Sequence, residues 1–211
     1  MTRYQAQGEE GEFQPGSENR VLRNRLGISS PDDMDELELE LLRELYEAVV
    51  LDQLPDRTLV VADLKAWHRR WLGNVYAWAG QERTVNLSKG HFMFANAALV
   101  PSLLSTFEKD CLSRWTPCHD LAEPDLIEAL AVTHVEFILI HPFREGNGRL
   151  SRLLADVMAV QSGREPLDYS SWEQRKNEYV GAIHAGLAGN YAPMRGFVAE
   201  AMGRPQRTST S

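Results

Sequence analysis

Apolar residues recur at helical spacing along most of this chain. SPDDMDELELELLRELYEAVV opens with Ser30-Pro31, carries acids in its first turn and repeats apolar positions from Leu37. That is the pattern of a helix start followed by an amphipathic body. LVVADLKAWHRRWL predicts a second helix, capped by Thr58 and ending near Gly73. ANAALVPSLLSTFEKDCLSRW predicts a third, with Pro101 tolerated in its first turn. Residues 125–140, DLIEALAVTHVEFILI, are apolar on nearly every side, which predicts a buried central helix. It stops at His141-Pro142, because a residue before proline avoids the α region. GRLSRLLADVMAVQSG predicts a helix stopped by Gly163, and SSWEQRKNEYVGAIHAGLAGN and PMRGFVAEAM supply the last two.

One stretch breaks the period. In RTVNLSKGHFMF, residues 83–94, β-branched and polar residues alternate and Lys89-Gly90 offers a turn. The expected architecture is therefore all-α, about seven or eight helices in a bundle with one short β-hairpin. A lone hairpin is marginally stable, so it must lie on the helical body or act as a flap.

Length and charge narrow the picture. A chain of 211 residues accommodates one domain, placed at 19–202. Residues 1–18, rich in Gly, Gln and Glu, read as a mobile arm, and 203–211 as a disordered tail. There is no apolar run near twenty residues, and the polar start has no apolar signal region. Cys111 and Cys118 fit no metal or redox spacing and are expected to be free thiols in a reducing, cytoplasmic setting. The net charge of −8 argues against direct nucleic-acid partners and against an anionic membrane surface.

Against that acidic background, HPFREGNGRLSR, residues 141–152, gathers three arginines, an imidazole, a carboxylate and two glycines. A helix beginning near Gly148 presents unpaired N–H groups and a partial positive charge. Gly146 and Gly148 allow backbone angles from which successive N–H groups converge on phosphate. Arg149 and Arg152 share a helix face and match phosphate oxygens. Glu145 becomes an anchor for a nucleotide if it holds Mg²⁺. His141 titrates nearest neutrality and is the natural general base. Together these groups describe phosphoryl or nucleotidyl transfer. Singly, each has a plain reading: a helix-end histidine, a turn, a solvated face, a loop acid. His134 lacks the partners of a metal pair and reads as a core histidine.

HPFREGNGRLSR resembles, position for position, the Fic signature H-P-F-x-[D/E]-G-N-G-R-x-x-R. HRRWLGNVYAWAGQERTVNLSKGHFMF resembles the segment leading into that family's β-hairpin flap, and VLRNRLGISSPDDMDELELE the opening of its stand-alone bacterial members. The resemblance covers about residues 15 to 200. It implies the Fic fold and a protein adenylyltransferase that moves AMP from ATP to a hydroxyl of a target protein. It implies that His141 is the base, Glu145 the Mg²⁺ ligand, and Gly146, Asn147 and Gly148 the phosphate holders, with Asn147 on the α-phosphate. Arg149 and Arg152 then reach the β- and γ-phosphates. The flap main chain at Val85, Asn86, Leu87, Ser88 and Lys89 would register the target by strand addition. Lys89 would also reach the nucleotide, and Tyr179 would lie near the adenine. Lys89 as a solvated turn lysine and Tyr179 as a core tyrosine are the plain counterparts.

Many Fic enzymes are restrained by a helix carrying [S/T]-x-x-x-E-[G/N], whose Glu pairs with the last arginine, here Arg152. No Ser or Thr in this chain has a Glu four residues on. By resemblance that points to a small antitoxin partner and a toxin role, with type II topoisomerase subunits as first target candidates. Doc-type relatives, which phosphorylate their targets, carry Ala and Lys where this chain has Gly146 and Gly148. The alternatives are thus a Fic-fold kinase, another nucleotidyl transferase, or a silent nucleotide-binding module.

Overall fold

The computed structural model describes residues 5–6, 9–90 and 92–203. The expected tail lies outside them beyond Gly203. Helix α1 (Pro31–Tyr46) starts as its sequence predicts: Ser30 Oγ accepts from the Asp33 N–H at 3.3 Å and Pro31 sits in the first turn. A π-helical segment, Glu47–Asp52, extends it. Helix α2 (Val61–Leu72) ends at Gly73. Its expected cap is a correction: the Thr58 hydroxyl donates instead to the Thr116 carbonyl, and the Asp63 carboxylate accepts the Val60 N–H at 2.9 Å.

Helices α3 (Val100–Phe107) and α4 (Ser113–Trp115) are one predicted helix, joined through a π-helical turn at Glu108–Leu112. Helix α5 (Glu123–Ile140) is central, with Ala129, Leu130, Val135 and Phe137 inaccessible to solvent. Helix α6 (Asn147–Gln161) packs along it. The predicted helix from Ser170 onward is instead α7 (Ser170–Gln174) and α8 (Lys176–Ala185), broken at Arg175. The break lets Trp172 bury against Phe197 while Tyr179 stacks on Trp172 at 5.1 Å. Helix α9 (Ala192–Ala201) closes the bundle against α5. The mostly helical architecture and the small sheet are as expected.

The sheet has a third strand that periodicity did not suggest. Strands β2 (Leu87–Lys89) and β3 (Phe92–Met93) form the hairpin, and β1 (Gln5–Ala6) pairs antiparallel with β2, Gln5 opposite Ser88 and Ala6 opposite Leu87. The segment that follows β1 is also tied down. Glu10 accepts from the Thr84 hydroxyl at 2.8 Å, Phe13 bridges to Leu22, and Ser17 is buried. Residues 10–18 are therefore tied down rather than a detached arm: Glu10 bonds to the flap and the motif loop, and Gln14 and Ser17 bond to Val21 and Asn24. Cys111 and Cys118 are buried and unbridged, and burial pushes both thiols up to about 12. Among the described residues, no helix is long and apolar enough to cross a membrane.

Candidate active site

The loop between α5 and α6 is shaped mainly by buried groups. His141 caps α5 in the left-handed region, φ 52° and ψ 59°, where a non-glycine residue is uncommon. Three bonds hold it there. Its N–H donates to the Phe137 carbonyl at 3.0 Å, its Nδ1–H to the Ile138 carbonyl at 3.1 Å, and its own carbonyl accepts from Arg83 Nε at 2.7 Å. The helix-end reading and the catalytic one are thus compatible: the Nδ1 bond sets the tautomer that makes Nε2 the basic nitrogen. Phe94 stacks on the ring at 3.7 Å. Burial, then the charges of Arg83, Lys89 and Arg144, push the imidazole down to about 3, against the opposing pull of the Ile138 carbonyl.

Asn147 is tied into the loop. Its side chain is inaccessible to solvent; Oδ1 accepts the Phe143 N–H at 2.9 Å and Nδ2 donates to the Phe143 carbonyl at 2.8 Å. These two bonds close the loop and use one of the two Nδ2 hydrogens, so the side chain has a loop-forming role besides the phosphate contact expected of it. The two glycines differ as well. Gly146 has φ +80°, and a Cβ there would lie 2.7 Å from Trp71. Gly148 is helical, and a Cβ there would meet nothing within 4 Å. Positive φ was expected of both; only Gly146 requires it.

His68, Arg83 and Arg144 were not singled out by spacing. Gly80 N–H donates to His68 Nδ1 at 2.8 Å, so Nε2–H donates to the Glu145 carbonyl at 3.1 Å, and the ring stacks on Phe143 at 4.1 Å. Burial lowers His68 to about 4. Buried Arg83 also donates to the carbonyls of Val85 and Ala95, joining the base to both sides of the flap. Arg144 turns away from the cleft and donates to the Glu10 carbonyl at 2.7 Å. No local pattern marks these residues, because every partner but Val85 is distant in sequence.

A cleft of about 700 Å³ opens over the N-terminus of α6, a volume that suits a nucleotide. Its lining mixes the cations Lys89, Arg149, Arg152 and Lys176 with the apolar Phe92, Trp172, Tyr179 and Ile183. His141, Glu145, Gly146 and Gly148 line it too. Tyr179 serves the core as well, since its hydroxyl meets His134 Nε2 at 2.8 Å while Ser151 meets His134 Nδ1 at 2.8 Å. Burial and the Arg152 charge lower His134 to about 3. Glu145 is 8% exposed and accepts the Gly146 N–H at 3.0 Å. Among the described residues there is no cluster of three or more metal-ligating side chains. The Glu145 carboxylate does fit Mg²⁺, which commonly takes one or two carboxylates plus substrate phosphates.

On the flap, the Val85 carbonyl accepts from Arg83, the Leu87 carbonyl from the Phe94 N–H, and the outer edge of β2 carries β1. Asn86 Oδ1 accepts the Ala97 N–H, Ser88 faces Gln5 in the register, and Lys89 is exposed.

Comparison with known proteins assigns this fold to a family. The Fic/DOC family model matches residues 58–159. A probable protein adenylyltransferase of Sinorhizobium fredii is 31% identical over 92% of this chain and 96% of its own length. The chain belongs to the Fic/DOC family. Protein adenylyltransferase fic-1 of Caenorhabditis elegans is 28% identical over 91% of this chain, which spans about a third of that longer protein. Among solved structures, the BepC protein of Bartonella tribocorum with bound AMPPNP superposes with a TM-score of 0.71 at 20% identity, covering 90% of this chain and 94% of that one. That likeness concerns the fold.

Proposed function

We propose that the protein transfers AMP from ATP to a serine, threonine or tyrosine hydroxyl of a target protein. The observation that carries this reading is His141, locked as a neutral base in the same cleft as the α6 N-terminus, Glu145 and Arg152. The hydroxyl oxygen attacks the α-phosphorus as its proton passes to His141 Nε2. The bond from that phosphorus to the bridging oxygen breaks, and pyrophosphate leaves. The N–H groups at the start of α6 and the arginines hold the phosphates. Mg²⁺ at Glu145 would neutralise phosphate charge when bound. The apolar lining, with Tyr179, takes the base.

A Doc-type kinase is less well supported, since alanine at Gly146 would strike Trp71. Lysate incubated with α-labelled and separately with γ-labelled ATP tests the choice: label only from the α-position is the expected result, and label only from the γ-position makes the protein a kinase.

The toxin reading rests on the missing inhibitory sequence. An internal Glu does meet Arg152: Glu173, at 3.0 Å, with a side chain 69% exposed. It follows Tyr169 by four residues and precedes Gln174, so the motif search passes over it. Solvent screens such a pair, and it is a weak restraint. An antitoxin helix would displace Glu173 and set its own Glu on Arg152. Growth arrest on expression, relieved by His141→Ala, is the expected sign of a toxin; unimpaired growth on wild-type expression argues against it.

A further inference from the structure

Behind Arg149 stands a carboxylate that local pattern does not mark. Glu38 lies in the middle of α1 and is 2% exposed. The Tyr76 hydroxyl donates to its Oε1 at 2.7 Å, and the Trp71 indole N–H donates to its main-chain carbonyl at 2.9 Å. Its Oε2 meets Arg149 Nη2 at 2.7 Å. The Trp71 ring lies beneath the same guanidinium, 4.6 Å from centroid to Cζ. A buried carboxylate is costly unless paired, so the pairing is not incidental.

The form of the contact matters. Oε2 and Nη2 meet off the hydrogen-bonding direction, and neither atom has a hydrogen-bond partner among the described residues. The attraction therefore fixes where the guanidinium sits: Nη2 is buried on Glu38, and the rest of the guanidinium, which lines the cleft, makes no hydrogen bond among the described residues. Arg152 is held differently, by solvent-exposed Glu173 and the face of Tyr169 at 5.0 Å. The two motif arginines are not equivalent: one is fixed from behind, the other is held at the surface.

We propose that Glu38 is the positioning residue for Arg149. Braced by Tyr76, it holds the guanidinium against Trp71 so that the unspent N–H groups face the nucleotide's phosphates. This rests on the nucleotide reading of the cleft. Two effects of removing the charge oppose each other, which makes the proposal testable. A negative charge near phosphate repels it, so neutralising Glu38 would by Coulomb's law tighten nucleotide binding. If holding Arg149 is the larger effect, neutralisation weakens binding instead.

The experiment is calorimetric titration of AMPPNP into the full chain. Glu38→Gln keeps the side-chain shape and an acceptor for Tyr76. Its expected effect is an affinity about tenfold weaker than wild type, with no further change when Glu38→Gln is added to Arg149→Ala. Tyr76→Phe, which leaves the charge and loosens the brace, should weaken binding by a smaller factor and keeps the proposal open to refutation if Glu38→Gln does not fold. A residue that merely supports the fold would shift the melting temperature and leave AMPPNP affinity alone. Equal or tighter binding by folded Glu38→Gln overturns the proposal, as does an equal loss in the presence and absence of Arg149. If Glu38→Gln does not fold, unchanged affinity in Tyr76→Phe overturns it. A wild-type chain that binds no AMPPNP overturns the nucleotide reading itself, and with it this one.

Discussion

The motif loop and the flap lie on the same cleft and are built in opposite ways. From His141 to Asn147 every residue is buried, and the backbone is fastened by Arg83, His68 and the Asn147 amide. The flap has strands of three and two residues, Met93 is 63% exposed, and part of its pairing comes from β1. Under the proposed function, the difference divides the work between them. Chemistry on a phosphate needs groups placed before the substrate arrives. Recognition by strand addition needs an edge that can exchange partners.

The largest expected effect breaks the rigid side at its base. His141→Ala should reduce label transfer by about 10³-fold, within the usual range for a lost general base, with the melting temperature and AMPPNP affinity little changed. Transfer as fast as wild type would remove His141 from that role.

Gly146→Ala comes next. The added Cβ meets Trp71 and the residue sits at φ +80°, so a stability loss of about 1–3 kcal/mol is expected in a denaturant titration. Gly148→Ala sharpens the contrast. It should keep or slightly raise stability, because it replaces a helical glycine in the first turn of α6 at a place where a Cβ meets nothing, yet weaken AMPPNP binding by crowding the cleft. Equal stability in the two variants would show that Gly146 is not confined as described.

Acid should act on the same buried layer. His68, His134 and His141 stay neutral in the folded chain down to about 4, 3 and 3. In the unfolded chain they take up protons near 6.5, so the unfolded state binds more protons as pH falls from 6.5 toward 4. Stability is lost over that window, by up to about 1.4 kcal/mol per pH unit for each histidine. Above pH 7 they contribute no slope. Denaturant midpoints at pH 7, 6, 5 and 4 read this directly, and a flat series would mean the histidines are not held neutral.

The smallest effect belongs to the flap. Deleting residues 1–8 removes β1 and should cost less than about 1 kcal/mol, since a two-residue edge strand buries little. If the target pairs on the β2 edge, label transfer to lysate proteins from α-labelled ATP should rise. A fall would make β1 part of the docking surface rather than its competitor.

Several features were legible before the structure. The Ser30-Pro31 start of α1, the all-round apolar α5 and its stop before Pro142 follow from neighbours within a turn or two. The hairpin's turn and the order of base, carboxylate, glycines and arginines are equally local. Other features were misread or read only in part for one reason. Thr58 is a sound cap by type, but Asp63 and Thr116 took the bonds it would have made or received. Asn147 has an amide suited to phosphate, and the chain reversal at Phe143 also binds its oxygen and one of its N–H groups, a second role that spacing does not mark.

The sequence by itself determined which segments are helical, where the central helix must stop, and which twelve residues gather the candidate chemistry, because those depend on side chains a few positions apart. Only the tertiary structure decided which of those groups face the cleft and what holds them. Glu38 reaches Arg149 across 111 positions of chain, Arg83 reaches His141 across 58, and β1 reaches the flap from the far N-terminus. Burial makes such long-range partners obligatory, since a polar group taken out of water must be paired wherever the fold supplies a partner.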